Sequence, residues 1–234
     1  MVVVRHGQAT HNLPTFLPSE MVLTKEPDMP FMDSPLTALG LEQAELVAKR
    51  LAKTKFNLAL ASDLERAWLT GQAILKHNSS IDSAEQCRHL RERTMGVFEP
   101  HYNLVMAQIT VEEAVPDREL LTWRIPKGES IVDLRNRVRQ FLDLVQTRAM
   151  QLEEEVPIVL VATHCVWMHE LHYVLSDWAT SHGSSLMAKP RTPNTGVDQY
   201  RMVTAKREDR QQELLEVNVD FLSCDKHLED RKSF

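Results

Sequence analysis

Met1-Val2-Val3-Val4-Arg5-His6-Gly7 opens the chain of 234 residues, and its reading decides the fold. Three consecutive β-branched apolar residues without polar alternation describe a strand covered on both faces, as in a parallel sheet. Leu58-Ala59-Leu60-Ala61 and Ile158-Val159-Leu160-Val161-Ala162 repeat that pattern. Each run passes into polar residues and then, directly or after a loop, into helical periodicity. Thr37 is placed to cap a helix whose Ala44, Val47, Ala48 and Leu51 share one face. From Ser62 and Asp63 onward, Leu64, Ala67, Trp68, Gly71, Ile74 and Leu75 recur at helical spacing. Ser130 precedes the longest amphipathic stripe, Ile131 to Val145, with Asp133 at the capping-box position. Near the end, Tyr200–Ala205 and Leu214–Val219 flank a charged turn and predict an antiparallel hairpin on the sheet edge.

Alternating strands and helices predict one α/β domain over residues 1–234, built on a largely parallel sheet. Two stretches lack a period. Leu13 to Ser34 carries Pro14, Pro18, Pro27 and Pro30, so residues 13–35 read as a long loop, of a length usual for lids and binding loops. Thr180 to Thr195 is similar, and residues 221–234 are expected to form a loose tail.

Composition bounds the partners. With 27 Lys+Arg against 33 Asp+Glu the net charge is −6, which argues against wrapping nucleic acid. A small phosphorylated metabolite stays open, because a pocket's local field can oppose the net charge. Cys87, Cys165 and Cys224 are scattered and odd in number, which reads as reduced thiols of a cytoplasmic protein. No apolar run approaches the roughly 20 residues of a membrane span, and the N-terminal run is charged too soon for a signal peptide. Oligomeric state is left open.

Chemistry concentrates where strands end, since open parallel sheets bind ligands beyond their carboxyl edges. Val4 leads to Arg5-His6, Val161-Ala162-Thr163 leads to His164-Cys165, and Ala61 leads to Ser62 and onward to Arg66. If those strands are neighbours, two imidazoles and two guanidinium groups meet at one rim. With Glu92, from Leu90-Arg91-Glu92-Arg93, the set suits phosphoryl transfer. A neutral imidazole attacks phosphorus, arginine forks hold the equatorial oxygens, and a carboxylic acid protonates the leaving oxygen. A second imidazole, if protonated, adds positive charge, and the Cys165 amide opens a helix as an anion donor. This chemistry requires no metal or other cofactor.

The blocks occur in a familiar order. Arg5-His6-Gly7 with Asn12, Leu36-Thr37-Ala38-Leu39-Gly40, Ser62-Asp63-Leu64-x-Arg66-Ala67, Leu90-Arg91-Glu92-Arg93, Gly128-Glu129-Ser130 and Thr163-His164 together resemble the phosphoglycerate-mutase-like histidine phosphatase superfamily. The resemblance implies a three-layer α/β/α sandwich with a C-terminal β-hairpin. It implies His6 as the phosphorylated nucleophile, Arg5, Arg66 and His164 as the phosphate pocket, and Glu92 as the proton donor. Asn12 matches a phosphate or substrate contact. Thr192-Pro193-Asn194-Thr195-Gly196 before a hairpin looks like the TIGAR-type fructose-2,6-bisphosphatases, which adds Asn194 to the substrate contacts. The short span from Gly96 to Gly128 favours hydrolysis over mutase chemistry, with fructose-2,6-bisphosphate the first substrate to consider. A phosphoglycerate mutase and a non-catalytic phospho-ligand module are the alternatives.

Cys165 stands where the superfamily usually has glycine, and Gln8 where many members have Glu. The bland readings weigh differently for the rest. His169 and His172, spaced i and i+3, read as helix decoration before metal ligands. His11, His77, His89, His101, His182 and His227 read as ordinary core or surface residues. Cys165 reads as a small apolar filler before a reactive thiol. Arg88, Arg91 and Arg93 divide evenly between a solvated turn and a second anion anchor.

Overall fold

The structure, a computed structural model, describes residues 1–13, 22–23, 32–101, 121–206 and 212–233. The strands are β1 (Val2–Arg5), β2 (Val22–Leu23), β3 (Met32–Asp33), β4 (Leu58–Ala61), β5 (Glu85–Gln86), β6 (Val159–Thr163), β7 (Val197–Lys206) and β8 (Gln212–Cys224). The α-helices are α1 (Ala38–Leu51), α2 (Glu65–Lys76), α3 (Ile131–Met150) and α4 (Cys165–Ser181). Six strands form one sheet in the order β5-β4-β6-β1-β7-β8, parallel from β5 to β1 and antiparallel beyond it. The expected mostly parallel sheet with an edge hairpin is present. The hairpin's charged turn, 207–211, lies outside the described residues.

Alternation along each strand feeds two cores. Val3, Leu58, Leu60, Val159 and Val161 pack with Leu134, Phe141 and Trp167 of α3 and α4. Val2, Val4, Ala59, Ala61 and Ala162 face Val47, Ile74 and Leu75 of α1 and α2 on the other side. The result is a three-layer α/β/α sandwich. Thr37 caps α1 as expected, its hydroxyl accepting from the Gly40 amide. Ser130 and Asp133 complete the capping box of α3. The second helix starts later than Ser62 and Asp63 suggest, with Leu64 as its N-cap. Among the described residues no helix is long and apolar enough to cross a membrane.

Three features differ from the sequence reading. β5 is two exposed residues without apolar pattern, so only its pairing with β4 marks it. Within the 13–35 segment, β2 and β3 pair antiparallel, while residues 14–21 and 24–31 lie outside the described set. At the other end, residues 221–224 extend β8 and Lys226–Ser233 wind into a 3-10 helix, where a loose tail was expected. His227 explains part of this: it is buried and hydrogen-bonded to Thr195, which pins the segment to the body.

Candidate active site

Strand register assembles the site. Arg5 of β1 pairs with Thr163 of β6, and Ala61 of β4 with Ala162, so His6, His164 and Ser62 leave the sheet side by side. The chain can turn there because two glycines meet: a Cβ on Gly7 would lie 2.3 Å from the Gly40 carbonyl oxygen, and one on Gly40 would lie 2.0 Å from that of Gln8. Both family-like blocks thus serve one close backbone crossing. Gln8 ties the same crossing to α1, its amide donating to Gln43 and its carbonyl accepting from the Thr37 amide.

His6 is 2% exposed, and its Nδ1 lies 2.6 Å from the Gly7 carbonyl. A carbonyl only accepts, so Nδ1 carries the hydrogen and the lone pair resides on Nε2. Burial, then the Arg66 and Arg5 charges, push the His6 pKa well below the usual histidine range. The imidazole is therefore neutral in the free site. His164 stacks obliquely on it, ring centroids 5.2 Å apart, with Nε2 against Ser62 Oγ at 2.9 Å. Its pKa is also pushed well down, first by burial and then by Arg66. His164 Nδ1 is buried and has no hydrogen-bond partner among the described residues.

A cavity of about 450 Å³ opens above this pair. Arg5, His6, Asn12, Arg66, Glu92 and Cys165 line it, while His164 lies beneath the lining. Arg5 donates from Nη1 to the Thr192 carbonyl at 2.7 Å, and Arg66 faces Asp33 at 3.7 Å. Glu92 accepts from the amides of Arg93, Val166 and Trp167, so its carboxylate sits on the first turn of α4. Arg137 of α3 fixes the acid block from behind, donating to the carbonyls of His89, Arg91 and Glu92. Glu129 holds Arg137 through two hydrogen bonds, which gives the Gly128-Glu129-Ser130 block its place.

One expectation is corrected, and the reading left open for the basic run divides. Asn194 does not line the cavity: its amide is spent on the His6 carbonyl and on Asn12 Oδ1, so it braces the floor. Arg91 makes two hydrogen bonds to Asp63, with Arg88 3.8 Å from the same carboxylate. Of that basic run only Arg93 reaches the cavity. Cys165 is a cavity thiol whose pKa burial pushes up, its Sγ 3.7 Å from the Thr192 carbonyl, which suits a filler better than a nucleophile.

His11 and His169, read from the sequence as ordinary histidines, line the cavity, as do Glu99 and Arg191, for which the sequence carries no signal. His11 stands 5.7 Å from His6, its Nδ1 hydrogen-bonded to Ser34 Oγ. Glu99 is buried and accepts from the Met95 amide. Only the position of His11 beside Asn12 could have flagged it; the others sit on a helix face or an irregular strap. Among the described residues no group of three His, Cys, Asp or Glu side chains could hold a metal ion.

A family model of the histidine phosphatase superfamily (branch 1) matches residues 1–208. The chain belongs to the histidine phosphatase superfamily. Within that superfamily it is 31% identical over 152 residues to a protein of Proteus mirabilis named "Probable phosphoglycerate mutase GpmB", covering 60% of each protein. It is 26% identical over 145 residues to the fructose-2,6-bisphosphatase TIGAR of Xenopus tropicalis, covering 61% of this chain and 48% of that protein. A mycobacterial glucosyl-3-phosphoglycerate phosphatase with inorganic phosphate bound superposes with a TM-score of 0.67 at 20% identity, covering 97% of this chain and 98% of that one. A phosphoglycerate mutase of Bacillus anthracis gives 0.66 at 22%, covering 98% and 95%. These two likenesses concern the fold of this histidine phosphatase superfamily member.

Proposed function

We propose that this protein is a metal-independent phosphomonoesterase acting through a phosphohistidine at His6. The observation that carries the reading is the Nδ1 contact to Gly7, which leaves the Nε2 lone pair free on a residue that lines the cavity together with Arg5 and Arg66. Nε2 attacks phosphorus as the ester P–O bond breaks, and the leaving oxygen takes a proton from Glu92. Water then attacks the phosphohistidine, gives its proton to Glu92, and releases inorganic phosphate as the N–P bond breaks. The guanidinium groups stabilise the equatorial oxygens throughout, and His164 stands against His6 where the transferred charge accumulates. Asn12 and the Cys165 amide are the neutral contacts of the same phosphoryl group.

The substrate of this reading is a small cytoplasmic metabolite carrying a second anionic group. Arg93 and Arg191 support that: both line the cavity, and neither makes an ion pair among the described residues. Fructose-2,6-bisphosphate is the first compound to test. The 31% identity to GpmB favours a mutase as the second reading. An aryl phosphate assay with EDTA, combined with acid-quench trapping of labelled enzyme, tests the proposal. Activity that survives EDTA and an acid-labile label at His6 are expected; full activity in His6→Ala defeats it. Isomerisation of a phosphoglycerate faster than phosphate release would transfer the assignment to a mutase.

A further inference from the structure

Thr195 has φ +55, a left-handed backbone that is costly for a β-branched residue. It belongs to the turn closed by the Gly196 amide on the Pro193 carbonyl. That turn aims two donors at the His6 carbonyl: the Thr195 amide at 3.2 Å and Asn194 Nδ2 at 3.3 Å. The other end of the same peptide, the Gly7 amide, donates to Thr70 Oγ1 at 3.1 Å. This peptide joins the imidazole's own Cα to the residue whose carbonyl receives Nδ1–H, so its tilt sets where Nε2 points.

Strain of this kind persists only where neighbours hold it. Thr195 Oγ1 donates to the Asn194 carbonyl at 2.7 Å, and His227 Nε2 lies 3.0 Å from the same hydroxyl. The other ring nitrogen, Nδ1, is 3.3 Å from Arg50 Nη1. A guanidinium only donates, so Nδ1 accepts and Nε2–H donates to Thr195. Arg50 of α1 also reaches Cys224 Sγ at 3.1 Å. Thr195 is fully buried and His227 is 6% exposed, so water does not replace these bonds readily. A chain of hydrogen bonds runs from α1 through the C-terminal 3-10 helix to the main chain of His6.

We propose that His227 is a positioning residue for His6, holding the strained Thr195 turn closed and thereby aiming the imidazole. The proposal rests on the reading of His6 as the nucleophile. The test is rapid-quench phosphoenzyme formation from an aryl phosphate in wild type, His227→Phe, Thr195→Gly and the double variant. Glycine adopts φ +55 without strain and keeps the amide that reaches His6, so Thr195→Gly needs no holder. His227→Phe should slow phosphorylation about 10- to 100-fold, the scale of a small misplacement of reacting groups, with KM nearly unchanged. In the Thr195→Gly background the same substitution should change the rate less than about twofold, a non-additive outcome. Thermal midpoints should also fall less in the glycine background, which lacks the hydroxyl that His227 bonds, so the unchanged KM beside the slowed phosphorylation is what separates aim from stability. His227→Gln, able to donate to Thr195 and accept from Arg50, should keep most of the rate and serves if the phenylalanine variant does not fold. Equal losses in both backgrounds, or loss in His227→Gln as large as in His227→Phe, overturn the positioning role. Absence of phosphohistidine in wild type overturns the phosphatase reading itself and this proposal with it.

Discussion

Arg5, His6 and Arg66, on the floor of the cavity, are each buried and tied to a partner: the Thr192 carbonyl, the Gly7 carbonyl and the Asp33 carboxylate. Arg93 and Arg191, on the outer wall, are less buried, and their terminal nitrogens meet no carboxylate among the described residues. A buried guanidinium held by a carbonyl has little freedom left, so it is aimed before substrate arrives. Arg191, exposed, keeps its rotamer entropy and can follow ligands of different shape, while half-buried Arg93 is held at Nε by the Glu129 carbonyl. The floor is thus suited to chemistry common to any phosphomonoester, and the wall to choosing among them.

Breaking the floor should cost most. Removing a guanidinium that stabilises transferring phosphoryl is worth about 10³–10⁵ in kcat. Arg66→Ala, with α2 otherwise intact, is expected to lose activity on this scale against both an aryl phosphate and a bisphosphorylated sugar. A comparable loss on only one of the two would erase the distinction between floor and wall. Glu92→Gln comes next, with turnover slowed roughly 10²–10⁴. Its signature is accumulation of phosphoenzyme when the leaving group is already acidic, read by quench and label counting. Fast turnover with an aryl phosphate and no accumulation would pass the acid–base role to another carboxylate, Glu99 being the other one on the lining.

The wall should respond selectively. Arg93→Ala with Arg191→Ala removes two charge-assisted contacts, each worth about 1.5–3 kcal/mol where made. A rise of KM by about 10² or more is expected for a bis-anionic substrate, with the aryl phosphate kcat unchanged. Equal effects on the two substrates would assign both arginines to the floor.

The same division separates what the sequence made legible from what it did not. Val2–Val4 and Val159–Ala162 are apolar runs whose polar successors emerge at one edge if the strands are neighbours, so the sequence groups Arg5, His6 and His164 on a condition that the pairing of β1 with β6 meets. Thr37 and Ser130 announce their helices because capping is local chemistry. Arg191 has no such rule: it rides an irregular strap between α4 and β7, which the buried Lys189–Asp198 ion pair tethers across nine residues. Asn194 has the right type for a phosphate contact, but its amide is consumed by a carbonyl that only folding brings near. His11 reads as one ordinary histidine among ten, because its contact with Ser34 spans the 13–35 segment.

The smallest expected effect concerns protons. His6, His11 and His164 all have pKa values pushed down, burial being the largest cause in each. Above the unfolded value near 6.5, neither state is protonated and these groups add no pH dependence. As pH falls below it, the unfolded chain binds protons that the free pocket refuses, so stability is lost by up to about 1.4 kcal/mol per pH unit for each group. Urea midpoints in phosphate-free buffer should therefore decline between pH 7 and 5. Saturating phosphate places negative charge beside the imidazoles, raises their affinity for protons and should flatten the decline. Because the effect belongs to the floor, Arg93→Ala with Arg191→Ala should leave the phosphate-free slope as it is. His164→Asn removes one of the titrating groups and should make that slope shallower. An unchanged slope in His164→Asn would mean that carboxylates set the acid limb, and that the floor's histidines enter the folded state already charged.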